Sequence, residues 1–475
     1  MRKTNLIILK NKTLCLILLC FITFNTWSNE SLLSELVQQV DKVRNKHRVS
    51  AAVIIVVDKD KIILNKKLGT RSWSSDKAMT SDQMFRIGSV SKSFAALLAL
   101  RMQRDGVIDL IKPWNHYVKK PYINNTYDVA VTLEQLLEHT AGLAGLTKAE
   151  WDYNQPEAIT IEQALLLKKG NHSSLWQPGL HSSYSNAGAG LLGLALEHAS
   201  GKTYEQLMDK YVFEPLTMKA STLLLEPYVI DKLIAGYNTD GVTPIPYWHN
   251  IYRPFAAINT DADDMVSFLQ MLLNNGKIND WSFLSEKSIA RMEHPQTTLA
   301  AQGGLGFGYG LANYHWQRDG YTFHGHGGDA DGYLTRYGYN RQSGLAYFVM
   351  VNAFNHKPLR QIRRLLESYI IKDLPKPHYP LRLKLPKEVM QSYMGEYISV
   401  TQRFGIIKKD NRATMKVTVN DQNLYLQFAG DSPQVIYAIN NTHFRYADNS
   451  IATMAFIHHD GDVYFQGDEG NYKKK

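Results

Sequence analysis

Ser89-Val90-Ser91-Lys92 places a hydroxyl and an amine three residues apart, where a loop turns into the apolar run Phe94-Ala95-Ala96-Leu97-Leu98-Ala99-Leu100. One helical turn brings both side chains to one face. A serine hydroxyl is un-ionised at neutral pH, so a neighbouring base must take its proton as it attacks a carbonyl carbon. A helix start adds free N–H groups and the positive end of the dipole, and both favour a developing oxyanion. The same spacing recurs at Ser74 and Lys77, but with a polar stretch and no apolar helix behind it, which reads as loop. The competing reading of Ser89 is an ordinary helix cap.

A second group, Tyr184-Ser185-Asn186, follows Trp176-Gln177-Pro178-Gly179 and leads into the small-residue run of 187–193. A tyrosine and an amide one residue apart on a loop can both aim into one cleft. A phenol there can shuttle a proton if a neighbouring ammonium lowers its pKa. Tyr122-Ile123-Asn124 repeats the spacing without the small residues behind it. The bland alternative makes Asn186 a helix cap and Tyr184 a core aromatic. The third group is His326-Gly327-Gly328-Asp329, in a strand-like stretch after Tyr321 and Phe323, with a turn at 342–344 and a return strand at 345–351. Glycines beside a strand-borne histidine let a ligand approach the backbone closely.

In this order, S-x-x-K, Y-x-N and H-x-G resemble the serine β-lactamase and penicillin-binding-peptidase superfamily, most closely its class C-like branch of esterases, D-aminopeptidases and DD-peptidases. The resemblance covers residues 32 to 372 and extends to lesser stretches at 136–143, 215–218 and 304–310. It implies Ser89 as the acylated nucleophile, Lys92 and Tyr184 as the proton-transfer pair, and Asn186 and His326 as substrate-binding groups. It also implies an oxyanion hole made by the backbone N–H groups of Ser89 and Asp329, and no cofactor.

The third motif departs from the K-T-G of true β-lactamases: His326 and Gly327 replace a fixed charge by a mostly neutral imidazole and remove a hydroxyl. Recognition of an anionic β-lactam should suffer. Arg336 could supply a carboxylate partner, although a solvated strand residue is the favoured reading of it. His324 and His326 lie on one face of a strand and invite a metal reading with Asp329. The acid falls one position late for the metal-dependent lactamase pattern, so no metal site is expected. The resulting expectation is a serine hydrolase acting through an acyl-enzyme on a small peptide, a D-amino-acid peptide, a cell-wall fragment or an ester. The alternatives are a β-lactamase and a catalytically weak penicillin-binding-like sensor or binding protein.

The elements that must position these groups read as α+β: an antiparallel sheet with flanking helices and an inserted helical region, followed by a small all-β barrel. Residues 1–28 carry a basic start and a short apolar run, the pattern of a signal peptide cut before Asn29. A periplasmic or secreted location follows, with no stable membrane span after cleavage. Both cysteines, Cys15 and Cys20, fall in that segment, which leaves no disulfide or thiolate site downstream. The formal charge of +9 drops to about +5 without the four basic residues of the segment, too mild to imply a nucleic-acid partner. A small-molecule or peptide substrate is expected, and a homo-oligomer is open.

The hydrolase domain is expected over 29–372, beginning with a helix in which Leu32, Leu33, Leu36, Val37, Val40 and Val43 recur at helical spacing. A hairpin follows at 51–64, and a helix capped at Thr260 and Asp263 runs from Met265 to Leu273. A proline-bearing linker covers 373–386. The alternating strands of 387–475 resemble a lipocalin-like barrel, and Lys473-Lys474-Lys475 reads as a solvated tail.

Overall fold

The computed structural model describes residues 30–156, 159–167, 172–401, 403 and 412–475. The expected signal segment lies outside them. The periodic apolar residues at the start form helix α1 (30–46). The hairpin follows as β1 (Ala51–Val57) and β2 (Ile62–Gly69). The chain then builds the helical region, which includes α2 (Ser91–Arg104), α3 (Asn186–Ser200) and α4 (Ala262–Leu273). It returns to the sheet as β3 (Tyr314–Arg318), β4 (Tyr321–Ala330), β5 (Tyr333–Asn340) and β6 (Leu345–Val351), and ends in α5 (His356–Ile371).

The six strands form one antiparallel sheet in the order β2-β1-β6-β5-β4-β3, so the first hairpin pairs with the last strand. Every residue of β1 is buried because both of its faces are covered, which is why it reads as an unbroken apolar run rather than an alternating one. One face packs on α1 and α5 through Leu36, Val40, Leu359, Ile362 and Leu366. The other packs on the helical region, whose centre is α2; its residues from Ser91 to Met102 are all buried. Among the described residues, no helix is long and apolar enough to cross a membrane.

The small residues of α3 have a specific purpose. A Cβ on Gly190 would come within 2.8 Å of the Tyr252 ring, and one on Gly193 within 2.6 Å of Pro254. Their absence lets the segment 252–256 lie flat on α3, where the carbonyl of Phe255 reaches the foot of the cleft.

The cap of α4 differs from expectation. Asp261, not Thr260, accepts from the Asp264 N–H, at 2.9 Å. Thr260 pairs with Phe85 in a two-residue strand and bonds Ser221, which removes it from the capping position.

Eight antiparallel strands, from Gly395–Ser399 to Gly470–Lys474, close into a barrel. Its interior is filled by side chains that include Tyr393, Tyr397, Phe444, Phe456 and Phe465, with Tyr393 stacked on Phe456 at 4.4 Å. The terminal lysines are no solvated tail. They extend the closing strand, Lys474 Nζ donates to the Ser392 carbonyl at 2.7 Å, and Lys473 and Lys475 pair with Asp462 and Glu396. The barrel needs that strand because an open edge would leave a row of unpaired backbone groups. It docks on the hydrolase region through Ala455, which packs with Ala300, Leu305 and Phe307.

Candidate active site

Gly88–Val90 form one 3-10 turn ahead of α2 and present Ser89 at its tip. Gly88 has φ +52°, and a Cβ there would stand 2.7 Å from the carbonyl carbon of Asp329. Gly328 is tighter still, since its Cβ would lie 1.9 Å from the Ile87 carbonyl oxygen. Thr335 on β5 donates to the same oxygen at 2.9 Å. Two glycines thus let the backbone of β4 lie directly on the serine turn, which sets Asp329 against Ser89.

Lys92 Nζ and Ser89 Oγ stand 3.2 Å apart, and Nζ also donates to the Phe255 carbonyl at 3.2 Å. Burial drives the Lys92 pKa well below the ordinary lysine range; the Arg403 charge adds to this and Asp329 opposes it. Lys92 therefore tends toward the free amine, the form that accepts a proton.

Tyr184 lies beside Lys92, with Nζ 4.7 Å from its ring centre, and its hydroxyl is hydrogen-bonded to Ser89. Its pKa is raised, contrary to the sequence expectation of a phenol made acidic by an ammonium. Burial disfavours the phenolate most, while the Ser89 bond and the Arg403 charge pull the other way. Desolvation of the buried ring outweighs the lowering expected of a neighbouring ammonium.

Asn186 is the first residue of α3 rather than its cap; Ser185 is the cap, its Oγ accepting from Gly188 N at 3.1 Å. The Asn186 amide oxygen is buried without a hydrogen-bond partner among the described residues, and the residue lines the cleft. That oxygen is available to a substrate N–H. His326 is buried on β4 and has its pKa lowered to about 3, first by burial and then by Lys92. Its Nδ1 meets the Gly327 carbonyl at 2.5 Å, and Nε2 meets the Tyr309 hydroxyl at 2.7 Å. An Nδ1–H donor to the carbonyl leaves Nε2 to accept from the phenol. His324 packs instead on His315 and Tyr339, at 4.5 and 5.4 Å between ring centres.

Ser89, Tyr184, Asn186, His326 and the backbone of Asp329 share one cleft of about 530 Å³, with Trp151, Trp248 and Phe255 as an aromatic wall. A hydroxyl, a buried amine, a phenol and two backbone segments in this arrangement can form and break an acyl-serine.

The Beta-lactamase family profile matches residues 32–369. The chain belongs to the beta-lactamase family. It is 25% identical over 247 residues to "Protein flp" of Staphylococcus aureus (strain MW2), covering 50% of this chain and 49% of that protein. The chain thus spans about half the length of the curated relatives it matches. The octameric penicillin-binding protein homologue from Pyrococcus abyssi superposes with a TM-score of 0.60 at 20% identity, covering 93% of this chain and 100% of that one. The beta-lactamase/D-alanine carboxypeptidase from Yersinia pestis does so with a TM-score of 0.60 at 18% identity, covering 72% and 99%. These solved structures share the fold.

Within this beta-lactamase fold, two arginines line the cleft and a histidine packs behind Tyr184 in ways the sequence left open. Arg336 is not a solvated strand residue. Its guanidinium lies over the rings of Trp316 (4.6 Å) and Tyr314 (5.2 Å) and lines the cleft. A Cβ on Gly327, its register partner, would stand 3.3 Å from Arg336 Nη1, so the missing threonine of K-T-G is the space that Arg336 fills. Arg403 comes from the barrel and lies 4.6 Å over the Tyr184 ring. Its carbonyl accepts from Gly145 N at 2.9 Å. No local pattern marks it. His139, in the stretch at 136–143, accepts from Ser185 N at 3.2 Å and packs on Tyr184 at 4.3 Å. The resemblance of that stretch was its one signal, and it carried no role.

Proposed function

We propose that this chain is an exported serine hydrolase that acts through an acyl-enzyme on an amide or ester. The observation that carries the proposal is the buried Lys92 amine 3.2 Å from the Ser89 hydroxyl. Ser89 Oγ attacks the substrate carbonyl and its proton passes to Lys92 Nζ. The Ser89 and Asp329 N–H groups receive the oxyanion. As the tetrahedral intermediate collapses, the C–N or C–O bond breaks and the leaving group takes a proton delivered from Lys92 through the Tyr184 hydroxyl. Water then adds to the acyl carbon, the same pair accepts its proton, and Ser89 is restored. Lys92 and Tyr184 act as a unit because strongly coupled groups share their protons.

Asn186 and His326 would orient the substrate. Guanidinium groups at Arg336 and Arg403 favour one that carries a carboxylate, and the wall of Trp151, Trp248 and Phe255 favours an apolar acyl side chain. A small peptide or cell-wall fragment with a free carboxylate fits this better than a simple ester. The D-alanine carboxypeptidase named among the structural relatives is in keeping with that chemistry. Export rests on the basic and apolar start of the sequence.

The test is a time course of intact mass with p-nitrophenyl acetate and with a penicillin, using Ser89→Ala as blank. An adduct that requires Ser89 is expected with the ester. A persistent penicillin adduct marks a peptidase-like site and a transient one a β-lactamase. No adduct from either reagent overturns the hydrolase in favour of a binding protein.

A further inference from the structure

The barrel touches the hydrolase region where the catalytic tyrosine is held. Gln466 and Asn471 face each other across two adjacent barrel strands. Both are buried, at 3% and 4% exposure, yet neither points into the apolar barrel interior. Gln466 Nε2 donates to the Leu180 carbonyl and meets His181 Nδ1, both at 2.8 Å, while its Oε1 accepts from Ala300 N at 2.7 Å. Asn471 Nδ2 donates to the Ser182 carbonyl at 2.8 Å. From the opposite side His139 accepts from the backbone N–H of Ser185 through its ring, and its carbonyl accepts from that of Ser183. The segment 180–185 is therefore clamped between two barrel amides and His139, and it delivers Tyr184 and Asn186 to the cleft.

Arg403 is a third barrel contact on the same segment, with its guanidinium on the Tyr184 ring. We propose that the barrel is a working part of the hydrolase: Gln466 and Asn471 set the position of Tyr184 and Asn186, and Arg403 is a positioning residue whose fixed charge acts on Lys92 and Tyr184. The inference rests on the acyl-enzyme reading above. A guanidinium disfavours a proton on Lys92 and stabilises negative charge on the Tyr184 oxygen, so it biases both groups toward the deprotonated forms that can act as bases toward Ser89. Among the described residues, other groups also surround the pair. His139 and His326 are buried and kept neutral, Tyr314 is a phenol, and Arg336 faces His326. Asp329 opposes Arg403, but its carboxylate is half-exposed and lies 3.5 Å from His356. A domain contact serving stability alone has no need to converge on this segment or to set a charge on the catalytic phenol.

The experiment uses the full chain and p-nitrophenyl acetate, and compares pH profiles of kcat/KM for wild type, Arg403→Met, Arg403→Lys and the double variant Gln466→Leu/Asn471→Leu. Arg403→Met should move the acidic limb to higher pH, with about a tenfold loss at pH 7 that closes as pH rises. Arg403→Lys, which keeps the charge, should restore the limb. The double variant should lose about tenfold or more in kcat with its acidic limb in place. The inference is overturned if Arg403→Met keeps the wild-type limb. It is also overturned if Arg403→Lys fails to restore the limb, or if the double variant turns over as wild type does. A wild-type chain that forms no Ser89 adduct overturns the hydrolase reading, and this inference with it. Acylation by wild type with an unmoved limb in Arg403→Met overturns the inference alone.

Discussion

Gly328→Ala should damage the active site out of proportion to the one methyl group it adds. The new Cβ would stand 1.9 Å from the Ile87 carbonyl oxygen and 2.5 Å from Thr335 Oγ1. A carbon and a carbonyl oxygen in contact need about 3.3 Å, so something must move by more than roughly an ångström. Ile87 cannot swing away alone, since its carbonyl accepts from Thr335 Oγ1 at 2.9 Å and from Val90 N at 3.2 Å. The displacement passes instead to the Ser89 turn and to Asp329, the two backbone segments that would hold the oxyanion. Misplacement of this size costs roughly 10²-fold, and loss of an oxyanion donor about 10²–10³-fold. The expected result is a kcat/KM for p-nitrophenyl acetate lower by about 10²–10³-fold, with an overpacking cost of about 1–3 kcal/mol in denaturant unfolding. Gly327→Ala is the control. Its tight contacts would be the side-chain ends of Arg336 and Tyr314, at 3.3 Å, which can retreat, with the Thr335 carbonyl at an ordinary 3.8 Å. Its loss should stay within about threefold. A Gly328→Ala variant with a burst rate within threefold of wild type, or a Gly327→Ala variant that is the worse of the two, refutes the reasoning.

Lys92→Ala should lower the acylation rate by about 10²–10⁴-fold, the worth of a positioned general base. Its circular dichroism and melting should change little, because Nζ bonds only Ser89 and one carbonyl among the described residues. Unimpaired acylation would transfer the role of base to Tyr184. His326→Gln tests the buried neutral imidazole. The folded pKa of about 3 lies below the ordinary 6.5, so the unfolded chain binds the proton first as pH falls. The stabilisation from the neutral form is complete above pH 6.5 and is lost as pH drops toward 3. The stability margin of wild type over the variant should therefore shrink by up to about 1.4 kcal/mol per pH unit in that window. Denaturant unfolding at pH 7, 5.5 and 4.5 checks this, and a margin that stays constant contradicts neutral burial.

Much of this molecule could be read along the chain because it depends on local periodicity. The helical spacing of Leu36 and Val40, the unbroken apolar run of β1 and the alternation around Asn420-Asp421 each record which faces are covered. The three candidate groups were legible for a similar reason, since each is a short motif; Ser89 and Asn186 stand at helix starts and His326 lies within β4. The cap of α4 was misplaced because Thr260 and Asp261 are both good caps, and the choice was made by the pairing of Thr260 with Phe85. The lysine-rich end looked solvated because composition does not reveal that a barrel needs one more strand to close.

The sequence by itself determined the candidate nucleophile, its neighbouring amine, the α+β class and the replacement of K-T-G by His326 and Gly327. Short-range chemistry is written in spacing, since one helical turn or one strand step fixes which side chains share a face. Only the tertiary structure decided that Arg336 occupies the space Gly327 leaves, that Phe255 supplies a carbonyl to Lys92, and that Arg403 reaches Tyr184 from another domain. It also decided the direction of the Tyr184 pKa. Desolvation and long-range charge sum over every element packed around a group, and most of those elements are distant in the chain.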